Sequence, residues 1–120
     1  MLANATITAL VGTIKPEISK AFYQDTLGLK FISEDTYAMV FEGKNARVRV
    51  SRVPAVAPAQ YAVLAFQVDD IDESLAIAAR HGVYPLRGVA TYEDICKLTY
   101  RRGPSGILLM LAQALQPSAG

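Results

Sequence analysis

The sequence repeats one order of elements twice, and this internal duplication constrains the fold more than any other feature. From Thr6 to Val53 the pattern predicts an apolar strand, a helix and then several strands, and the same order returns from Tyr61 to Gln113. The stretch Pro54–Gln60, which is rich in alanine and proline and carries no charge, separates the two copies. Such a duplication indicates two like modules around a shared cleft.

Length and composition indicate a single domain. The chain has 120 residues, of which 52% are hydrophobic, and this size is typical of one domain. We divide residues 1–120 into module one at 3–53, a linker at 54–60, module two at 61–113 and a C-terminal tail at 114–120. The formal net charge of +1 is too small to hold a polyanion, so we expect no nucleic-acid partner.

The sequence also bears on location. No apolar run approaches the roughly 20 residues that span a bilayer, and the first residues lack the basic flank and apolar core of a signal peptide. Cys96 is the only cysteine, so no intramolecular disulfide can form and nothing argues for an oxidising compartment. We therefore expect a cytoplasmic protein with no membrane partner.

Two helices are predicted from their start and stop signals. The first covers about Lys15 to Leu27, because Gly28 can adopt the left-handed conformation that ends a helix. The second follows Asp69 or Asp70, either of which can cap it, and closes at His81-Gly82. Both helices are predicted to pack against sheets.

The strands show a period of two instead. In Ala46–Ser51 the valines fall on one face, whereas Arg47 and Arg49 fall on the other. In Tyr61–Val68 the bulky side chains share a face, and the opposite face has smaller side chains that leave room for a cavity. A turn at Gly103–Gly106 predicts that the second module closes with a hairpin.

Three fragments carry a family resemblance. They are Lys20–Leu29 (KAFYQDTLGL), Val68–Ile71 (VDDI) at the start of the second helix, and the turn and strand from Gly103 to Leu111. In this order they resemble the vicinal oxygen chelate superfamily, which includes glyoxalase I, bleomycin-resistance proteins and extradiol dioxygenases. The resemblance covers about Ala3 to Gln113. It implies an α+β fold of two βαβββ modules whose curved mixed sheets form a cleft.

The resemblance also locates the positions at which metal-dependent members carry His, Gln or Glu ligands. Those positions fall at Thr8, Arg49, Val63 and Met110, with Ile7 in place of Thr8 if the register shifts by one residue. None of these side chains offers the imidazole nitrogen or carboxylate oxygen that zinc, nickel, iron or manganese requires. We therefore expect no metal and no other cofactor, which disfavours glyoxalase I and extradiol dioxygenase activity.

Metal-free catalysis has no clear centre in the sequence. Cys96 is adjacent to Lys97, but neighbours in a strand point to opposite faces. For the same reason Glu93 and Asp94 do not converge on one substrate as an acid and base pair must. The only histidine, His81, lies where it complements the negative end of the second helix. The catalytic residues stay unknown.

Arg49 is the sharper candidate. At a ligand-equivalent position it replaces the charge of a metal with a guanidinium, which can bind carboxylate or phosphate through two hydrogen bonds. Arg47 lies on the same face, and both arginines also fit ordinary exposed strand positions. An inward-pointing Arg49 needs an anion, which Glu42 or Glu93 supplies if the site is structural and a ligand supplies otherwise.

Three classes of function remain open. We favour a metal-free small-molecule-binding protein, a homodimer, that sequesters an amphiphilic anionic ligand. The alternatives are an atypical lyase, isomerase or dioxygenase-like enzyme, and a structural or regulatory domain whose cleft is filled by its own side chains. The expected ligand-binding residues are Thr8, Arg47, Arg49, Val63, Ala65, Leu108 and Met110.

Overall fold

A computed structural model describes residues 2–57, 59–92 and 96–115, and over these ranges the chain forms eight strands and two α-helices. The strands are β1 Ile7–Thr13, β2 Lys30–Glu34, β3 Ala38–Gly43, β4 Ala46–Arg52, β5 Leu64–Gln67, β6 Ala90–Tyr92, β7 Cys96–Arg102 and β8 Leu108–Ala114. The helices are α1 Pro16–Ala21, which continues as a π-helical turn over Phe22–Thr26, and α2 Ile71–Arg80. Short 3₁₀ turns cover Leu2–Asn4 and Pro104–Gly106.

The strands form two four-stranded mixed sheets of the same topology. The first has the order β1-β4-β3-β2 and the second the order β5-β8-β7-β6. In each sheet the strands that come first and last along the chain, β1 with β4 and β5 with β8, pair in parallel. The other neighbours pair antiparallel. A helix connects the first strand of each sheet to the next, so each half is a βαβββ module. The predicted α+β fold of two such modules is confirmed.

The chain packs as two compact units. The first contains the elements up to β4 together with the turn Pro104–Gly106, and the second contains the other elements. The turn is held in the first unit by hydroxyl groups: Ser105 Oγ accepts the Ile14 N–H at 3.0 Å and lies 3.3 Å from Thr13 Oγ1. Ser19 Oγ, which is buried, donates to the same Thr13 oxygen at 2.6 Å.

One face of the first sheet carries the core of the first unit. Met39, Phe41 and Val50 are fully buried there, and the Tyr23 ring lies 5.6 Å from the Phe41 ring. Burial raises the pKa of Tyr23 to about 12, because desolvation disfavours the phenolate. Since Tyr23 belongs to the π-helical turn that continues α1, this helical segment covers the face that carries Phe41.

The ends of the helices follow the predicted signals. α1 and its continuation run from Pro16 to Thr26, close to the predicted Lys15 to Leu27, and Gly28 has a φ of +73°. Of the two candidate caps for α2, Asp70 is the one used: its Oδ1 accepts the Glu73 N–H at 3.1 Å. Neither helix that the structure describes has the length and apolar character of a membrane span.

The strand predicted over Tyr61–Val68 is wrong in its extent, because β5 covers only Leu64–Gln67. The parallel partner β8 begins at Leu108, and Val63 makes the first contact with it by donating its N–H to the Leu108 carbonyl at 2.9 Å. Upstream of that point the chain has no strand to pair with, since residues 104–106 form a turn.

A truncation in the first core tests this packing. We expect Phe41→Ala to lower the free energy of unfolding by about 3–5 kcal/mol, because Phe41 is fully buried and its removal leaves a cavity under Tyr23. Tyr37→Ala is the matched control, since this aromatic side chain is 74% exposed and its loss should change the free energy by less than about 0.5 kcal/mol. Urea denaturation measures both, and equal losses would contradict the assignment of the core.

Candidate functional site

The face of the first sheet opposite α1, which we call the open face, is lined by alternate residues of β1, β4 and β3. The parallel register of β1 and β4 places Thr8 opposite Arg47 and Leu10 opposite Arg49. The antiparallel register of β3 and β4 places Val40 on the other side of Arg49. Residues opposite one another in adjacent strands share a face, so these five side chains belong to one surface.

The alternation predicted for β4 is confirmed by burial. Val48 and Val50 are buried against the core, while Arg47 is exposed and Arg49 is half-buried on the opposite side. Both arginines therefore lie on the open face.

Arg49 lies in the middle of this face with apolar neighbours. Leu10 is 71% exposed on one side and Val40 is half-buried on the other. We call these three residues, Leu10, Val40 and Arg49, the Arg49 patch. A guanidinium between two aliphatic side chains offers a charge and an apolar surface at the same place.

Arg49 has an acidic neighbour, Asp35, that interacts with it at longer range and not through an ion pair. No carboxylate lies within 4.0 Å of its guanidinium in the part of the chain that the structure describes. Hydrogen bonds from the N–H groups of Ala38 and Tyr37 hold the pKa of Asp35 below its ordinary value, and the positive charges of Arg49 and Arg52 act in the same direction. Asp35 thus contributes to the field around Arg49 without forming an ion pair with it.

Arg47 has a direct partner. Its Nε lies 3.5 Å from Oε2 of Glu42, the residue opposite it in β3. The sequence offers Glu42 and Glu93 as counter-ions for Arg49, but the register of the sheet pairs Glu42 with Arg47 instead. The other acid, Glu93, lies outside the described residues.

The open face is bounded at both ends. At the end of β1 an ideal Cβ on Gly12 would lie 3.1 Å from Val53 Cγ2 and 3.5 Å from Val56 Cγ2, so these valines lie close over the backbone. At the start of β1 a cavity of about 530 Å³ lies between residues 3–7 and the hairpin of β3 and β4. The Arg49 patch occupies the stretch between these two ends.

The other predicted site residues gather on one face of the second sheet. Ala65 lies opposite Met110 in the parallel pair of β5 and β8, and Tyr100 lies opposite Met110 on the other side. Val63 is hydrogen-bonded to Leu108, two residues before Met110 on the same strand face. The structure therefore brings Thr8, Arg47 and Arg49 together in the first unit, and Val63, Ala65, Leu108 and Met110 together in the second.

The four positions mapped from the resemblance occupy equivalent places in their sheets. Thr8 lies opposite Arg47, which is two residues before Arg49 and on the same face of β4. Val63 is two residues before Ala65, and Ala65 lies opposite Met110. Thr8 and Arg49 thus lie diagonally across the parallel strands of the first sheet, and Val63 and Met110 do so in the second.

The donor chemistry at these positions does not fit a divalent metal. A hydroxyl, a guanidinium, an aliphatic side chain and a thioether provide neither imidazole nor carboxylate ligands. Across the described ranges 2–57, 59–92 and 96–115, no three His, Cys, Asp or Glu side chains are grouped as a metal site would require.

The other candidates for chemistry do not converge. Cys96 begins β7 and is half-buried, and Lys97 follows it on the opposite face of the strand. His81 is the exposed C-cap residue of α2, as predicted from the sequence. Asp94 and Glu93 lie outside the described residues.

Three relevant residues were missed by reasoning from sequence. Leu10 could have been found, because strand alternation places it with Thr8 on the predicted first strand. Val40 and Asp35 carry no such signal, since their proximity to Arg49 depends on the pairing of β3 with β4 and on the turn between β2 and β3.

The comparisons with known proteins agree with this architecture. The family model of the Glyoxalase/Bleomycin resistance protein/Dioxygenase superfamily matches residues 8–111. The chain therefore belongs to this superfamily, as the resemblance of its motifs predicted. Comparison with the curated proteins finds no match.

Several solved structures share the fold. A glyoxalase/bleomycin resistance protein/dioxygenase from Nocardioides has a TM-score of 0.77 and 20% identity, with 97% of this chain and 87% of that chain covered. A glyoxalase family protein from Enterococcus faecalis has a TM-score of 0.78 and 19% identity, covering 93% and 99%. Lactoylglutathione lyase from Agrobacterium tumefaciens has a TM-score of 0.74 and 14% identity, covering 92% and 93%. Identities this low show the fold alone, so the function must be argued from the site.

Proposed function

We propose that the protein binds and sequesters a small amphiphilic anion, with Arg49 as the anchor for the anionic group. The observation that carries the proposal is the Arg49 patch: a half-buried arginine without an ion pair among the described residues, placed between Leu10 and Val40 by the strand register. A guanidinium binds a carboxylate or phosphate through two parallel hydrogen bonds. The aliphatic neighbours contact the apolar body of the same ligand.

The other predicted contacts remain part of the proposal. In the first unit Thr8 adds a hydroxyl to the open face, and Arg47 adds a second guanidinium that Glu42 partly neutralises. In the second unit one sheet face offers four apolar candidates, which are Val63, Ala65, Leu108 and Met110.

A ligand screen tests the anchor. We expect aromatic carboxylates to bind at least about tenfold more tightly than their neutral amides, because a hydrogen-bonded charge pair contributes about 1.5–3 kcal/mol. Thermal shift and calorimetric titration measure the difference. The preference should disappear in Arg49→Leu and persist in Arg80→Leu, which removes an exposed arginine at the end of α2.

Two results would contradict this prediction. One is equal stabilisation of the protein by acids and amides. The other is an Arg49→Leu variant that still prefers the acid, since the anion would then be held elsewhere.

We also propose that binding occurs without a metal. The support is the donor chemistry at Thr8, Arg49, Val63 and Met110, the positions that the resemblance maps to the family's metal ligands. We expect elemental analysis of protein purified without chelator or affinity tag to find no stoichiometric transition metal. One metal ion per chain would overturn the mapping of these positions.

We propose further that the protein is a cytoplasmic homodimer. Large apolar side chains are exposed on the edge strand β1 and on α1, among them Ile7 at 73% and Ile18 at 56%, and a second copy would bury such a surface. The cytoplasmic location is supported by the lone Cys96, which has no intramolecular partner.

Light scattering coupled to size exclusion tests the oligomeric state. At micromolar concentration we expect twice the mass of one chain, because burial of the exposed apolar side chains favours association. The mass of a single chain, unchanged when the sample is concentrated, would refute the dimer.

A further inference from the structure

The cavity at the start of β1 is a second candidate site, and Arg49 is not among the residues that line it. Its volume of about 530 Å³ falls within the range of small-molecule sites. One wall is the segment 3–7 that leads into β1, and the other is the hairpin between β3 and β4. Both walls belong to the first unit.

The hairpin contributes a polar residue to the wall. Gly43 and Ala46 are the last paired residues of β3 and β4, so Lys44 and Asn45 form a two-residue turn. Asn45 has a φ of +58°, a left-handed conformation that asparagine tolerates better than most residues. Asn45 lines the cavity, and Asn4 and Thr6 line it from the opposite wall.

The cavity has one positive and one negative lining residue, Arg47 and Glu42. Arg47 Nε lies 3.5 Å from Glu42 Oε2. Within the described residues neither side chain makes a hydrogen bond, so both Nη groups of Arg47 and Oε1 of Glu42 are available to a ligand. The two side chains are 47% and 39% exposed, and an ion pair this accessible adds little stability that a ligand would have to replace.

We propose that this cavity binds a small zwitterion with neighbouring carboxylate and ammonium groups, of the α-amino acid type. The Nη groups of Arg47 receive the carboxylate, and Oε1 of Glu42 accepts from the ammonium. A simple anion would be attracted by Arg47 and repelled by Glu42, whereas a zwitterion satisfies both charges. The other polar lining residues, Asn4, Thr6 and Asn45, suit a ligand whose remaining part is polar.

Three related probes test the two charge contacts separately. L-glutamine carries both charges, N-acetyl-L-glutamine lacks the ammonium and L-glutaminamide lacks the carboxylate. We expect L-glutamine to bind at least about tenfold more tightly than either derivative, because each derivative lacks one of the two charged groups that Arg47 and Glu42 would bind. In nitrogen-15 NMR titrations the backbone amides of Thr6, Asn45 and Ala46 should shift with L-glutamine, which locates the binding in this cavity.

Variants provide the second arm of the experiment. Arg47→Gln and Glu42→Gln should each weaken L-glutamine binding at least about tenfold, while Arg80→Gln, on the exposed end of α2, should leave it unchanged. Arg47→Lys keeps the charge but loses the planar pair of donors, so its affinity should lie between those of the wild type and Arg47→Gln. The dispersion of each NMR spectrum shows whether the variant is folded.

Several results would overturn the proposal. They are equal affinity for the three probes, shifts confined to residues away from the cavity, a folded Arg47→Gln variant with wild-type affinity, or no binding of L-glutamine at about 10 mM. This experiment reads the amide shifts of Thr6 and Asn45, whereas the proposed function is tested by the preference of the Arg49 patch for acids over amides. Failure of one can therefore be distinguished from failure of the other.

Discussion

The parallel pairing of the first and last strands of each module is the constraint on which the rest of the structure depends. In the first sheet the register of β1 and β4 places Val11 opposite Val50 in the core and Leu10 opposite Arg49 on the open face. Because side chains alternate, a slip of one residue in one strand would exchange its two faces and bury an arginine. The hydrophobic core therefore fixes the register, and the register places the candidate site.

The same ladder decides how charge is distributed. β4 is a central strand, so each of its residues has neighbours on both sides, and Arg47 meets Glu42 in β3 while Arg49 meets Val40. Two arginines separated by one residue thus have different roles: one belongs to a neutral pair beside a cavity, and the other is a charge between aliphatic side chains. The positive charge of Arg49 in turn helps to hold the pKa of Asp35 below its ordinary value, after the hydrogen bonds from Ala38 and Tyr37.

Membership of the superfamily defines the architecture and leaves the chemistry to the individual residues. The resemblance maps the ligand positions of metal-dependent members to Thr8, Arg49, Val63 and Met110, and within each sheet the two mapped residues lie diagonally across the parallel strands. None of these four side chains offers the imidazole nitrogen or carboxylate oxygen that such a metal requires. A guanidinium at such a position favours recognition of an anion, which is the basis of the proposed function.

Local features of the sequence determined much of this protein. The duplicated order of elements predicts the two modules, Gly28 predicts the end of the first helical segment, and the period of two in β4 predicts which face carries Arg47 and Arg49. Each of these depends on residues close together in the chain, where periodicity and backbone preference act directly. They account for the fold and for the arginines of the candidate site.

Only the tertiary structure decided the contacts between distant segments. It assigned Glu42 to Arg47, placed Leu10 and Val40 beside Arg49, and brought the field of Asp35 to the same guanidinium. It also shortened β5, because the turn before β8 leaves the upstream residues without a partner strand. The physical reason is the same in each case: strand register and turn position are set by the packing of the whole sheet, and no local pattern encodes which residues will lie opposite one another.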